Sequence, residues 1–130
     1  MRGNRKRDTR PELALRSALH RQGLRFRAEF PLRLDGSRPI RLDIAFTRLR
    51  VAVFVDGCFW HRCPEHCQVP RSNRSYWEPK LSRNVDRDRR VDAALAAGGW
   101  VPVRVWEHED LIASAERVAA VLRDRSNEDT

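Results

Sequence analysis

The segment "PIRLDIAFTRLRVAVFVD", residues 39–56, contains two apolar runs separated by a short polar connection at residues 47–50. Each run is short and rich in β-branched and aromatic residues, which is typical of strands. The second run reads as a buried strand because it is almost continuously apolar. The segment therefore predicts two strands joined by a tight turn, and these strands decide the fold around them.

The segments on either side predict helices and two further strands. "TRPELALRSALHRQG" begins with a capping-box pattern, Thr9 followed by Glu12, and Gly23 can end that helix. A strand is expected in "LRFRAEF", a helix after Pro79 up to a Gly-Gly stop, a strand in "WVPVRVWEHE" and a closing helix in "LIASAERVAAVLRDR". The order α-β-β-β-α-β-α predicts an α/β fold, a small mixed sheet flanked by helices. We expect a single domain over residues 1–125 and a disordered tail over residues 126–130.

The composition favours a polyanionic partner. The 130 residues have a formal net charge of +8, with a pI of about 10.8, and such a basic domain is most often a nucleic-acid binder. The alternative is a basic surface that serves solubility alone. No apolar run is long enough to span a membrane, and the basic N-terminus lacks the apolar stretch of a signal peptide.

A cysteine- and histidine-rich segment, "VDGCFWHRCPEHC" at residues 55–67, follows the buried strand. Three clustered cysteines among histidines favour metal binding over disulfides, and hence a reducing cytoplasm. Zinc takes four such ligands. Cys58, Cys63 and His108 are the firmer candidates, and His66 and Cys67 compete for the fourth place. The alternative is three buried free thiols.

A second metal is indicated by Asp43, because a carboxylate within an apolar strand needs a partner or a cation. Carboxylates and carbonyl oxygens suit Mg²⁺, and Asp43 beside a strand ending in "FVD" could hold this ion against a scissile phosphate. Glu12 could complete the site and Asp56 is a further carboxylate nearby. If zinc takes other ligands, His61 is left for proton transfer. The alternatives are a half-exposed Asp43 paired with an arginine and a capping role alone for Glu12.

Six motifs in the chain resemble those of the very short patch repair (Vsr) endonucleases. They are "DTRPELALR", "LRFR", "LDIAF", "VFVDGCFWHRCPEH", "NVDRDRR" and "VRVWEHE". The resemblance extends from Met1 to about residue 110. It implies a restriction-endonuclease-like (PD-(D/E)xK) fold with a zinc-stabilised loop. It also implies Mg²⁺-dependent nicking of double-stranded DNA on the 5′ side of the thymine in a T:G mismatch, by a monomeric cytoplasmic enzyme that mismatch-repair proteins could assist.

The resemblance also assigns roles to individual residues. Asp43 and the Val55 carbonyl are similar to the Mg²⁺ ligands, while His61 and Glu12 resemble the other catalytic residues. The residues that resemble the structural zinc ligands are Cys58, Cys63, His66 and His108. Phe59 and Trp60 match an aromatic wedge inserted beside the mismatch, where unstacking costs least because pairing is already poor. Met1 matches a methionine that assists this wedge.

Departures from the family pattern and two rival functions qualify these expectations. Leu42 stands where many nucleases of this fold have proline, no lysine follows the "FVD" strand, and the basic arm that precedes Met1 in relatives is absent. The rivals are a restriction-type endonuclease that cuts matched duplex and a zinc-stabilised DNA-binding module without activity. In either case a basic helix is expected to contact DNA. Its candidate residues are Lys80, Arg83, Asn84, Arg87, Arg89 and Arg90, with Asp86 and Asp88 interrupting the charge.

Overall fold

The fold in the computed structural model consists of a four-stranded sheet and three helices, and residues 10–34, 38–57 and 74–128 are described. The elements follow the predicted order α-β-β-β-α-β-α, which is confirmed. The helices are α1 (Arg10–Arg21), α2 (Arg74–Ala97) and α3 (Leu111–Glu128). The strands are β1 (Arg27–Leu32), β2 (Ile40–Phe46), β3 (Val51–Asp56) and β4 (Val101–Trp106).

The sheet has the strand order β1-β2-β3-β4. β1 pairs with β2, and β2 with β3, in antiparallel orientation, whereas β3 and β4 are parallel. Parallel neighbours need a crossover, which α2 supplies between β3 and β4. β3 thus has a partner on both edges and is the most buried strand, as its continuous apolar sequence predicts.

Two apolar cores lie on opposite sides of the sheet. The first joins α1 and α3 to β2, β3 and β4, and the second joins the C-terminal part of α2 to β2 and β3. The buried members of the first core are Leu15, Leu19, Ile44, Phe46, Val51, Val53, Val103, Val105, Ala115, Val118 and Leu122. Those of the second are Leu42, Ala45, Ala52, Phe54, Leu95 and Trp100. A sheet covered on both faces is the α/β arrangement expected from the sequence.

Three predicted boundaries differ from the structure. The strand expected from Leu24 begins at Arg27, because the Leu24 N–H bonds back to the Leu19 carbonyl (3.2 Å) beside Gly23, whose φ of +78° ends α1. Helix α2 begins at Arg74 and includes Pro79 in its second turn, where the proline removes one backbone hydrogen bond of the helix. Helix α3 continues to Glu128, into the segment expected to be a tail. Among the described residues, none of the helices is long and apolar enough to cross a bilayer.

Arg104 on β4 ties helix α2 to the sheet. Its guanidinium binds Asp92 (Nε–Oδ1 3.0 Å) and Asp56 at the end of β3 (Nη1–Oδ1 3.0 Å), and it lies 3.8 Å from an Asp88 oxygen. Its centre lies 4.3 Å from the Phe54 ring centroid. Burial opposes the charge on Arg104, but the hydrogen bonds to Asp92 and the surrounding carboxylates outweigh it and raise the pKa further. One arginine thus neutralises acids from two elements.

We expect Arg104→Met to lower the free energy of unfolding by about 2–4 kcal/mol, because it leaves carboxylates under α2 without their cation. Chemical denaturation measures the difference. Arg123→Met is the matched control: Arg123 is exposed on α3, so its loss should cost less than about 0.5 kcal/mol. Equal stability of the two variants would contradict the role given to Arg104.

Candidate active site

Asp43 lies where β2 separates from β3. The pairing of these strands runs from Phe46↔Val51 to Ile44↔Val53 and goes no further. Beyond it, the Val55 N–H donates to Asp43 Oδ2 at 2.9 Å. The aspartate side chain therefore takes the place of a backbone acceptor, which holds its carboxylate against β3.

The strands β1 and β2 change face at this same point. Leu42 packs in the second core and Ile44 in the first, although a regular pleat would put residues two apart on one face. Glu29 falls between the pairs Ala28↔Ile44 and Phe30↔Leu42, opposite Asp43, and has a φ of +52°. This left-handed conformation costs a residue with a Cβ about 1–2 kcal/mol. Surrounding contacts must hold it in place, and such strain is often found at functional sites.

Three carboxylates converge here. Glu12 from α1, Glu29 from β1 and Asp43 from β2 each offer an oxygen, and these oxygens lie within 4.8 Å of one another. Glu12 is only 2% exposed and Asp43 7%. Carboxylate oxygens at this spacing suit a hard divalent cation such as Mg²⁺. The chemistry of the donor set therefore fits the metal expected from the sequence.

Two arginines supply positive charge to this acidic cluster. Arg16 Nη2 donates to Glu29 Oε2 at 3.0 Å. Arg41 donates from Nη1 to Glu29 Oε1 and from Nη2 to Asp43 Oδ1, the latter at 3.3 Å. Buried carboxylates without such partners would be costly. The alternative of a half-exposed Asp43 paired with an arginine is therefore right about the partner, Arg41, and wrong about the exposure, because Asp43 is buried.

Asp43 holds a proton more readily than an exposed aspartate. Its surroundings together raise its pKa from 3.8 to about 7, and burial is the largest cause. The hydrogen bond and charge of Glu12 also raise the pKa, whereas the hydrogen bond from the Val55 N–H and the charge of Arg41 lower it. The metal-free cluster therefore carries less negative charge at neutral pH than its three acids suggest.

Of the residues expected at the site, Glu12 and Asp43 are brought together, with Val55 beside them. Contact with Asp43 means that helix capping alone does not explain Glu12. Asp56 is not a member of the acidic cluster, because Arg104 binds its carboxylate. The sequence analysis missed Glu29, Arg41 and Arg16. Glu29 is one of several polar residues in the predicted strand "LRFRAEF", so its sequence position does not indicate a site. Arg41 could have been predicted more readily, because it lies two residues before Asp43 in the same strand.

The remaining expectations divide between described and undescribed residues. Met1 and the loop residues expected to bind zinc, to move protons or to form the wedge lie outside the described residues. These loop residues are Cys58, Phe59, Trp60, His61, Cys63, His66 and Cys67. His108 is described: it is exposed and lies two residues after the end of β4.

One side of α2 carries Lys80, Asn84 and Arg87 at helical spacing. Lys80 and Asn84 are half-buried, and Arg87 is exposed. The Lys80 Nζ lies 4.9 Å from the ring centroid of Tyr76, which is 56% exposed.

The two aspartates of this helix differ in their surroundings. Asp88 turns toward Arg104 and the sheet, so it does not interrupt the exposed charge as the sequence suggested. Asp86 is exposed and shares its side of the helix with the exposed Arg83 and Arg90, three residues before it and four residues after it.

Comparison with known proteins identifies the family. The model of the DNA mismatch endonuclease Vsr family matches residues 1–68. The chain belongs to the Vsr family. It is 52% identical over 122 residues to the type II nicking enzyme V.NaeI of Lentzea aerocolonigenes, covering 94% of this chain and 72% of that protein. It is 40% identical over 104 residues to the DNA mismatch endonuclease Vsr of Escherichia coli K12, covering 78% and 62%. The protein is therefore a Vsr-family DNA endonuclease.

The raised pKa of Asp43 predicts a pH-dependent effect of Asp43→Asn on stability. Between about pH 4 and pH 7 the folded protein keeps a proton that the unfolded chain has lost, so stability falls as the pH rises through this range. Asparagine does not ionise. Without added Mg²⁺ we expect the free energy of unfolding of Asp43→Asn to exceed that of wild type by on the order of 2 kcal/mol at pH 8. At pH 4 the difference should be much smaller.

Denaturant titrations at several pH values measure this difference. Asp124→Asn serves as the control, because Asp124 is exposed on α3 and its substitution should change stability little at any pH. An Asp43→Asn variant that differs from wild type by the same amount at pH 4 and pH 8 would contradict the raised pKa.

Proposed function

We propose that this endonuclease nicks duplex DNA on the 5′ side of the thymine in a T:G mismatch, in a Mg²⁺-dependent reaction that begins repair of deaminated 5-methylcytosine. The observation that carries the proposal is the convergence of Glu12 and Asp43 beside Val55, in a chain of the Vsr family. The sequence analysis selected these three residues as parts of one site. A relative in Escherichia coli is itself named a DNA mismatch endonuclease.

The metal ligands in this proposal are Asp43 and the Val55 carbonyl. Mg²⁺ at such a site supplies polarisation of the scissile phosphate and a lower pKa for bound water. Asp43 is rigidly held, since its second oxygen accepts the Val55 N–H. Glu12 would orient water or His61 from the opposite side, where α1 fixes it in a buried position.

The loop after β3 contributes the remaining groups. His61 would transfer the proton, a role that an imidazole with an ordinary pKa near 6.5 can fill at neutral pH. Phe59 and Trp60, assisted by Met1, would insert beside the mismatch. Zinc bound by Cys58, Cys63, His66 and His108 would hold the loop rigid. His108 follows β4, the parallel neighbour of β3, so the fourth ligand would come from an adjacent strand end.

The duplex would lie along the exposed basic side of α2. Lys80, Asn84 and Arg87 are spaced to face the same direction, and the net charge of +8 favours a phosphate backbone. Arg104 joins α2 to Asp56 at the end of β3. A helix that binds DNA would thereby be held in fixed relation to the strand end that carries Val55. The fold proposed for this arrangement is of the restriction-endonuclease-like type.

Comparative nicking of one duplex with T:G and of the same duplex with T:A tests the substrate. We expect strong preference for T:G, with loss of at least about 100-fold in rate for Asp43→Ala and for His61→Ala. Asp124→Ala, an exposed acid on α3, should nick like wild type. Equal cutting of T:G and T:A by wild type would favour the restriction-type rival, whereas unchanged activity of Asp43→Ala would contradict the metal site.

Metal analysis of purified variants tests the zinc site. We expect about one zinc per chain in wild type, and loss of zinc and of stability in Cys58→Ala, because a structural site needs all four ligands. Cys67→Ala is the matched control, a cysteine of the same loop that the proposed ligand set does not use. Zinc retained by Cys58→Ala, or lost from Cys67→Ala, would show that the ligands are assigned wrongly.

A further inference from the structure

Arg41 is shared by two members of the acidic cluster. One amino group of its guanidinium, Nη1, binds Glu29 Oε1, and the other, Nη2, lies 3.3 Å from Asp43 Oδ1. Arg16 differs, since its Nη2 pairs with Glu29 Oε2 at 3.0 Å. Arg41 is therefore the cation that joins the β1 acid to the β2 acid.

The two oxygens of Asp43 have different partners. Asp43 Oδ2 accepts the Val55 N–H at 2.9 Å, and this bond holds the carboxylate on β3. Oδ1 is the other oxygen, and Arg41 donates to it. A divalent ion bound at Asp43 would meet this guanidinium at close range, where two cations repel strongly.

We propose that Arg41 is the resident counter-ion of the Mg²⁺ site and leaves Asp43 when the divalent cation binds. This inference rests on the proposed function, because it takes the acidic cluster to be the metal site. Arg41 stabilises the metal-free protein by neutralising buried acids, and the same contact weakens the site for metal. The concentration of Mg²⁺ that the enzyme requires is therefore set in part by this arginine.

The surroundings of the two arginines support this difference in role. The Arg41 side chain is 37% exposed, so its head can turn toward solvent while its stem stays on β2. The Arg16 side chain is 15% exposed and comes from α1. Arg16 can stay on Glu29 and keep a positive charge beside the strained residue after Arg41 has left. Arg41, the more exposed of the two arginines, is thus the one that can leave when a metal ion binds.

Titration with Mn²⁺, followed by electron paramagnetic resonance without DNA, tests the exchange. Binding at the site is the binding that Asp43→Ala removes. We expect Arg41→Met to bind Mn²⁺ about 5- to 20-fold more tightly than wild type, because the competing charge is gone. Arg16→Met removes the same charge from the same cluster without clearing Asp43 Oδ1. Because the repulsion between two cations falls with distance, its affinity should rise less than that of Arg41→Met. Arg41→Gln replaces Arg41→Met if the latter fails to fold.

The outcomes separate this inference from the proposed function. Equal affinity in wild type and Arg41→Met, equal tightening in Arg16→Met, or no Mn²⁺ binding above the Asp43→Ala level in wild type and Arg41→Met would each overturn the exchange. The titration needs no substrate. A protein that binds Mn²⁺ as expected but nicks T:G and T:A equally would leave the exchange standing and remove the proposed substrate.

Discussion

The hydrogen bond from the Val55 N–H to Asp43 is the contact on which the candidate site depends. It forms where the backbone pairing of β2 with β3 has ended, and it uses a carboxylate where the sheet would use a carbonyl. An acid is thereby held in a buried place that would otherwise favour an apolar side chain. The cost of that burial explains why an arginine, Arg41, lies beside it.

The metal-free cluster balances its charge by two means. Asp43 takes up a proton more readily than an exposed aspartate, because burial and Glu12 disfavour its charge. Arg16 and Arg41 neutralise part of what is left. The cluster gains negative charge when the proton or an arginine leaves. If it binds Mg²⁺ as proposed, stability of the free protein and affinity for metal would therefore be opposed.

A second ionic centre lies on the other side of the sheet. Arg104 joins the end of β3 to α2 through Asp56 and Asp92. Asp56 had been considered for the metal site, and the structure gives it this different partner. Under the proposed function this fixed relation matters, since the helix with the exposed arginines and the strand end beside Asp43 would act on the same duplex. The two centres share β3, whose burial on both edges makes it the rigid element between them.

The sequence alone determined the order of the elements, the two central strands and the family. Short apolar runs rich in β-branched residues favour strands whatever packs against them. The motifs "DGCFWH" and "NVDRDRR" together are specific to the family. The sequence also selected Asp43, because a carboxylate in an apolar strand needs an explanation. It offered Glu12 as a further acid that could complete the site. Only the tertiary structure decided which groups surround them. Glu29 reaches Asp43 because Glu29 itself has a left-handed backbone conformation and the strands change face at this point. Neither feature can be predicted from apolar–polar alternation. Arg104 contacts Asp56 because β3 pairs with β4, and Asp88 because α2 packs on β4. Both contacts join residues far apart in the chain, which local spacing does not encode.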